Sequence, residues 1–511
     1  MELGRDAVVA AIGAGDLPGA EVLCRQLAAA GAAGEAAYLL AVIRNAQDRL
    51  PEALALAGDA AALLPDRGDV AYNRGVILRR AGHLAEAVGE WVRALDLIPT
   101  HQGAAFNLAC ALAEAGRADD AAAIYRALLA LAPGHRDAAF NLGNLLHRLR
   151  RLDEAETVFA ELCARHPGFA AGWINRGQTL QEAERPEQAE TCYRAALAAD
   201  PADVQAHWHL ALLLLATGRW REGLEAFEWR LRLPDIPRPG FPWPAWHPGF
   251  RPGARVVLWN DQGRGDAIQF FRYAPLLAER GFRVSLWVQS DLRRLAAAVP
   301  GVEAAFGSGD PLPEFDAHAP LLSLPLLLGE DRPAGGRPVP YLPAGGRAAD
   351  RRPGRRAVGL VWAGNPAHDN DANRSLPLAA LAPLFELDGI DWVALQVGRA
   401  AEQRADSPWA GLIRDAGSGL SDFADTAQVI GSLDLVITVD TAAAHLAGAL
   451  GAPVWVLLPR VGVDWRWGHQ GESTAWYPTM RLFRQVAAGD WSGPVAVMRA
   501  ALDAGCVSLP S

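Results

Sequence analysis

Three short stretches carry residue types able to hold an anion or move a proton, and each directly follows an apolar run. The first is DTAAAH, with Asp440, Thr441 and His445. A helix opening here exposes free N–H groups, which attract phosphate. Asp440 or Thr441 can cap that helix, and His445 lies one turn on, on the same face as Thr441, within reach of the same phosphate. The competing reading is a capped helix with a core histidine. The second stretch is WAGNPAHDNDANRS, from Trp362 to Ser375. Asn365 turns the chain with Gly364 and Pro366, and His368, Asn373, Arg374 and Ser375 are donors for a diphosphate. A polar surface loop is the alternative. All 48 basic residues are arginine, so Arg374 is the obvious charge partner. The third stretch is QGRGD, residues 262–266. It offers G-x-G, but Ile268 stands at the third-glycine position, and a dinucleotide fingerprint fails. Asp266, at a helix start, either caps that helix or serves as a general base for an acceptor hydroxyl.

These loops need elements to hold them. Apolar runs at 255–260, 284–288, 357–362, 392–395, 435–439 and 454–458 read as strands. Helical patterns at 267–280, 378–387, 425–432 and 442–450 alternate with them. Such alternation means parallel sheets with covered faces. A Pro/Gly/Arg stretch at 331–356 divides them, which predicts two Rossmann-like lobes, 255–347 and 355–505, with a cleft between. Ligands of such sheets sit at the carboxyl ends of the strands.

The N-terminal part is a repeat array. Prolines 65, 99, 133, 167 and 201 step by 34, as do Ala53, Ala87, Ala121, Ala155 and Ala189. A large residue follows four later in most units: Trp91, Tyr125, Phe159, Tyr193 and Phe227. Gly75, Gly143 and Gly177 keep the same phase, where a small residue lets helices approach. Asn73, Asn107, Asn141 and Asn175 form a further ladder, able to hydrogen-bond a peptide backbone or merely to face water. A helix pair of this length cannot bury its apolar face alone, so units stack into a solenoid with a concave groove. The expectation is a solenoid over 1–236, with six units from about 34 to 235 and a degenerate first one. A proline- and aromatic-rich linker, 237–254, then packs across the junction.

Composition narrows the function. With 511 residues, 51% of them hydrophobic and 21% charged, the chain supports several folded units. A net charge of -10 argues against bulk nucleic-acid binding. The absence of lysine excludes a pyridoxal Schiff base and a Walker A phosphate loop. Cys24, Cys110, Cys163, Cys192 and Cys506 share no CxxC spacing, which argues against a metal site or a disulfide framework. No signal peptide or membrane span is read, because the most apolar stretch, 442–459, contains His445, two glycines and Pro453. A cytoplasmic protein is expected.

The 34-residue unit resembles the tetratricopeptide repeat (TPR). The strand–GD turn–helix at Asp266, followed by DTAAAHLAGALGAP from Asp440 to Pro453, resembles family 9, heptosyltransferase-type glycosyltransferases of GT-B fold. With LVWAGNPAHDNDANRSLPL, DWRWGHQGESTAWYPTMRLFRQ and the repeats, the chain resembles bacterial TPR-linked glycosyltransferases, which share the layout of O-GlcNAc transferases. The histidine that serves O-GlcNAc transferases has no counterpart here. The resemblance implies Asp266 as catalytic base and Asp440, Thr441 and His445 as the donor-phosphate helix. It implies Arg374 on the phosphate and Gln396 toward the base or ribose. Trp362, Asn365, His368 and Ser375 complete the donor side, and Ser473, Trp476 and Tyr477 stand near donor or acceptor. The function so implied is inverting, metal-independent sugar transfer from a nucleotide-diphosphate sugar, without a cofactor, to an acceptor hydroxyl on a protein brought in by the groove. The alternatives are a TPR interaction scaffold with a nucleotide-sugar-binding or inactive α/β half, and a transferase acting on a glycan or lipopolysaccharide core.

Overall fold

The structure, a computed structural model, describes residues 2–236, 238–330, 332, 336–343, 345, 352 and 354–505. Residue 237, most of 344–353 and Cys506 therefore lie outside the described residues. The chain divides after Pro201 into two compact units.

The first unit is helical. Its helices are α1 (Glu2–Gly13), α2 (Leu17–Ala29), α3 (Ala33–Ala46), α4 (Leu50–Leu63), α5 (Gly68–Arg80), α6 (Leu84–Leu97), α7 (Gln102–Glu114), α8 (Ala118–Leu131), α9 (Arg136–Arg148), α10 (Leu152–Arg165), α11 (Ala170–Glu182) and α12 (Pro186–Ala199). The glycine and aromatic ladders meet inside three of the pairs. A Cβ on Gly143 would stand 2.5 Å from the Phe159 ring, and one on Gly177 2.5 Å from Tyr193. The aromatic wedge of the second helix thus fills the space left by the missing side chain on the first. One ladder escaped the sequence reading. Tyr38, Tyr72, Phe106 and Phe140 also step by 34. Each meets a residue ahead of the next pair: Arg67 over Tyr38 at 5.7 Å, His101 on Tyr72 at 4.4 Å, His135 on Phe106 at 5.3 Å and Phe169 on Phe140 at 5.3 Å.

The second unit opens with one more helix pair, α13 (Val204–Ala216) and α14 (Trp220–Phe227), extended by a 3₁₀ turn, Glu228–Arg232. This pair shares an apolar core with the α/β part. Trp220 packs on Trp465 and Trp476, with ring centroids 5.9 and 5.4 Å away, and Phe227 packs on Trp465. The compact unit consequently begins at residue 202, not at the expected junction after 236. The aromatic-rich linker lies along a sheet edge. Trp246 donates its N–H to the His318 carbonyl (2.7 Å), and His318 donates to Pro244 (3.0 Å).

Two parallel sheets follow. β1 (Arg255–Trp259), β2 (Arg283–Val288), β3 (Val302–Gly307) and β4 (Ala317–Pro320) lie in the order β3-β2-β1-β4. β5 (Arg356–Val361), β6 (Ile390–Ala394), β7 (Ile413–Asp415), β8 (Leu435–Val439), β9 (Val454–Leu458) and β10 (Met480–Arg484) lie in the order β10-β9-β8-β5-β6-β7. Read from the other edge, the second order is that of a Rossmann sheet, with its first strand central and the strand order reversing beside it. The reversal lies between β5 and β8 in the larger sheet and between β1 and β4 in the smaller. The helix expected at 267–280 starts earlier, at Arg264, and breaks into a 3₁₀ turn at Phe271–Tyr273.

Candidate functional site at the strand ends

All three chemistry-bearing loops leave the carboxyl ends of strands flanking those reversal points, where open α/β sheets bind ligands. Residues 260–266 follow β1, residues 362–375 follow β5, and Asp440 and Thr441 follow β8.

Around β5 and β8 the structure gathers charge. Arg374 is mostly buried and 3.3 Å from Asp371. Its charge reaches both His368 and Asp440. The Asp440 carboxyl is pushed up to about 7, first by burial and then by the negative charge of Asp464; the Trp467 indole, Arg374 and Arg466 pull it back. Burial, then the charge on Arg374, pushes the His368 imidazole down. Ser375 holds the loop, accepting from the Gly364 N–H and donating to Asp371, both at 2.9 Å. Asn365 accepts from the Ala367 N–H (3.1 Å), and His368 Nδ1 from the Asn370 N–H (3.1 Å). A Cβ on Gly364 would lie 2.7 Å from Arg374 Nη2, so glycine is what lets that arginine lie under the turn. Trp362 is fully buried and serves the core.

Thr441 occupies the N-cap position of the helix Ala442–Ala449, yet its side chain makes no capping bond. Its hydroxyl lies 3.0 Å from that of Thr438. The Thr441 side chain thus leaves the first N–H groups of this helix uncapped.

Asp266 lies in the first turn of the helix Arg264–Phe270. Its Oδ2 accepts the Gly263 N–H at 3.0 Å, and its Oδ1 pairs with Arg466. Arg466, almost fully buried, also holds Asp464 at 2.9 Å and donates to Gln269. Burial pushes the Asp266 carboxyl up, Arg466 opposes this and Asp464 adds to it. Sequence reasoning had no means of singling out Arg466. It stands 200 residues from Asp266, and no local spacing links the two.

Several of the expected site residues have partners within the fold. His445 is packed among aromatic rings. Its Nδ1 meets the Tyr477 hydroxyl at 3.0 Å, its ring lies 5.0 Å from that of Trp467, and it is 6% exposed. Burial, then the charges of Arg466 and Arg272, keeps it neutral by holding it well below its usual range. A Cβ on Gly265 would come within 2.7 Å of His445 Cδ2, so the second glycine of QGRGD lets this imidazole approach the loop. Gln396 is engaged by the backbone of its own loop and of the neighbouring one. Its Oε1 accepts the Trp362 and Ala363 N–H groups, both at 2.9 Å, and its Nε2 donates to the Ala363 and Val397 carbonyls. Trp476 and Tyr477 are buried in the shared core, and Ser473 is exposed. In the solenoid, three of the four ladder asparagines bond within the stack. Asn73 donates to the Tyr38 hydroxyl (3.0 Å), Asn141 to that of Tyr125 (3.3 Å) and Asn175 to Asn144 (2.6 Å). Among the described residues, no cluster of three or more His, Cys, Asp or Glu side chains is placed to hold a metal ion, and no helix is long and apolar enough to cross a membrane.

Comparison with known proteins supports the repeats. Residues 46–101, 106–168 and 174–228 match the tetratricopeptide repeat model, and the N-terminal part is a TPR solenoid. The chain is 30% identical over 335 residues to Protein FlbA of Caulobacter vibrioides, an alignment covering 57% of this chain. It spans about half of that relative, 54% of its length. Among solved structures, the chain resembles the C-terminal part of a TPR repeat-containing protein from Cytophaga hutchinsonii (13% identity, 45% of this chain and 95% of that one, TM-score 0.40). It also resembles YrrB, a TPR protein described as having an unusual peptide-binding site (23% identity, 34% and 88%, TM-score 0.31), and MamA from Desulfovibrio magneticus RS-1 (21%, 32% and 92%, TM-score 0.29).

Proposed function

We propose that the α/β half is a GT-B-type, family 9-like glycosyltransferase that takes a sugar from a nucleotide-diphosphate donor to an acceptor hydroxyl, with inversion and without a metal. The acceptor hydroxyl belongs to a protein recruited by the TPR groove. The observation that carries this reading is the convergence of the uncapped helix at Thr441, the Arg374 loop and Asp440 on the reversal point of a Rossmann-ordered sheet. The likeness of DTAAAHLAGALGAP to the donor-phosphate motif of such enzymes supports it. In this mechanism Arg374 and the helix N–H groups take the diphosphate. The acceptor oxygen bonds to the anomeric carbon and its proton passes to Asp266. The bond from that carbon to the phosphate oxygen breaks, and its electron pair leaves with the diphosphate. Charge growing on that leaving group is offset by donors already in place, a contribution typically worth about 10²–10³ in rate. Asp266 serves as base only after Arg466 releases one of its oxygens.

A second reading is favoured by that same pair. Both Asp266 oxygens are engaged, one by Arg466 and one by the Gly263 N–H. A chain in which they stay engaged is a TPR interaction scaffold that binds a nucleotide sugar without turning it over. Incubating the full chain with nucleotide sugars and candidate partner proteins separates the two: sugar on the partner supports transfer, and donor binding without transfer supports the scaffold.

A further inference from the structure

The buried ion pair at the reversal point of the smaller sheet has no part in the mechanism above. Arg230, in the 3₁₀ turn after the last helix pair, is 0% exposed, and so is the side chain of its partner Asp261. Its Nε donates to Asp261 Oδ2 at 2.6 Å, and its Nη2 to Ser323 Oγ at 2.9 Å. Its Nη1 reaches Glu228 (2.7 Å) and the Phe227 carbonyl (3.2 Å), and the guanidinium carbon lies 4.6 Å from the centroid of the Phe227 ring. Asp261 leaves the end of β1, and Ser323 lies in the turn after β4. One arginine from the last helix pair thus occupies the carboxyl-end crevice between β1 and the edge strand β4. A buried charge is stable there only because every arm of the fork finds a partner.

Asp261 is five residues ahead of Asp266, in the same loop. Beside it, Asn260 donates to the Gln262 carbonyl (2.8 Å) and to Gln289 (3.0 Å), and the Gly263 N–H bonds Asp266. The loop is anchored at one end by Arg230 and at the other by Arg466. On the far side of that second anchor, Trp220 of α14 backs Trp465, the neighbour of Arg466.

We propose that Arg230 is a positioning residue: the last repeat belongs to the site, and its arginine sets the loop that presents Asp266. For its consequence on transfer this rests on the transferase reading, while the positioning itself does not. Lysine keeps the charge at 230 but lacks the planar fork and cannot serve Asp261, Ser323 and the Phe227 carbonyl together. The test is amide hydrogen exchange of the full chain, followed by mass spectrometry, for the parent, Arg230→Lys and the paired substitution Arg230→Met with Asp261→Leu. The pair removes both fully buried charges together, leaving only Glu228, whose side chain is 33% exposed to water, and covers the case in which a single change prevents folding.

The expected result is exchange faster by about tenfold or more in peptides spanning 260–267, with the helix Ala442–Ala449 unchanged. In the transfer assay, kcat falls while the affinity for UDP or another donor nucleotide holds. Unchanged exchange at 260–267 in a folded variant overturns the proposal, as does an equal rise throughout residues 202–511, which marks a general loss of stability. Exchange is read without substrate, so a parent chain that transfers no sugar refutes the transferase reading and leaves the exchange result to decide this one.

Discussion

Replacing Asp440 by asparagine should make the second unit more stable, and only where the carboxyl would otherwise be charged. The folded protein raises this group from 3.8 to about 7. At low pH it is protonated both folded and unfolded and contributes nothing. As pH rises above about 4 the unfolded chain ionises first, so stability falls, and the deficit is complete once pH passes about 7. Three pH units correspond to a ceiling of about 4 kcal/mol. Asp440 is only partly buried, and screening by water brings the expected effect to about 2 kcal/mol. Asparagine removes the charge at nearly the same size. Urea unfolding followed by tryptophan fluorescence reports on the right unit, because Trp91 and Trp173 are the only tryptophans before residue 202. Asp440→Asn should gain about 1–3 kcal/mol more at pH 8 than at pH 5. An equal gain at both pH values, or a loss at pH 8, would refute a carboxyl held protonated by burial and Asp464.

Other outcomes follow from the packing and the site. Gly265→Ala places a methyl 2.7 Å from His445 Cδ2. That ring is held by Tyr477 and Trp467, so the substitution should cost about 1–3 kcal/mol in the same unfolding assay. Gly143→Ala, 2.5 Å from Phe159, should cost about as much in the solenoid and lower its helical melting transition by circular dichroism. Arg374→Ala should weaken binding of a nucleoside diphosphate about tenfold or more, read by calorimetry. Asp266→Asn should leave that binding intact and abolish transfer; unchanged turnover sinks its role as base.

The legibility of these features in the sequence follows from their range. The repeats repeat every 34 residues, so their phase, wedges and contact glycines could be read directly. β1, β2, β5, β6, β8 and β9 are buried apolar runs and could be read as well. β3, β4, β7 and β10 escaped for local reasons: β3, VEAAFG, is mostly half-buried and carries a glutamate, β7 is three residues long, β4 reads AHAP, and β10, MRLFR, carries arginines on a half-buried edge. Site loops could be placed at strand ends, because that is a property of parallel sheets. Their side-chain partners could not. Gln396 and His445 have residue types suited to ligands, and each also makes contacts set by the tertiary fold. The pairs Arg466–Asp266 and Arg230–Asp261 join residues 200 and 31 apart. Neither separation is a helix or strand period, so only the assembled unit reveals them.

The most direct measurement is calorimetric titration of the full chain with UDP, ADP, GDP and their common sugar conjugates. The last helix pair belongs to the α/β unit, so the chain is not to be cut at 236. Saturable binding by one nucleotide, weakened in Arg374→Ala and retained in Asp266→Asn, is the predicted result. A folded chain that binds none of them contradicts the donor site and leaves a TPR scaffold.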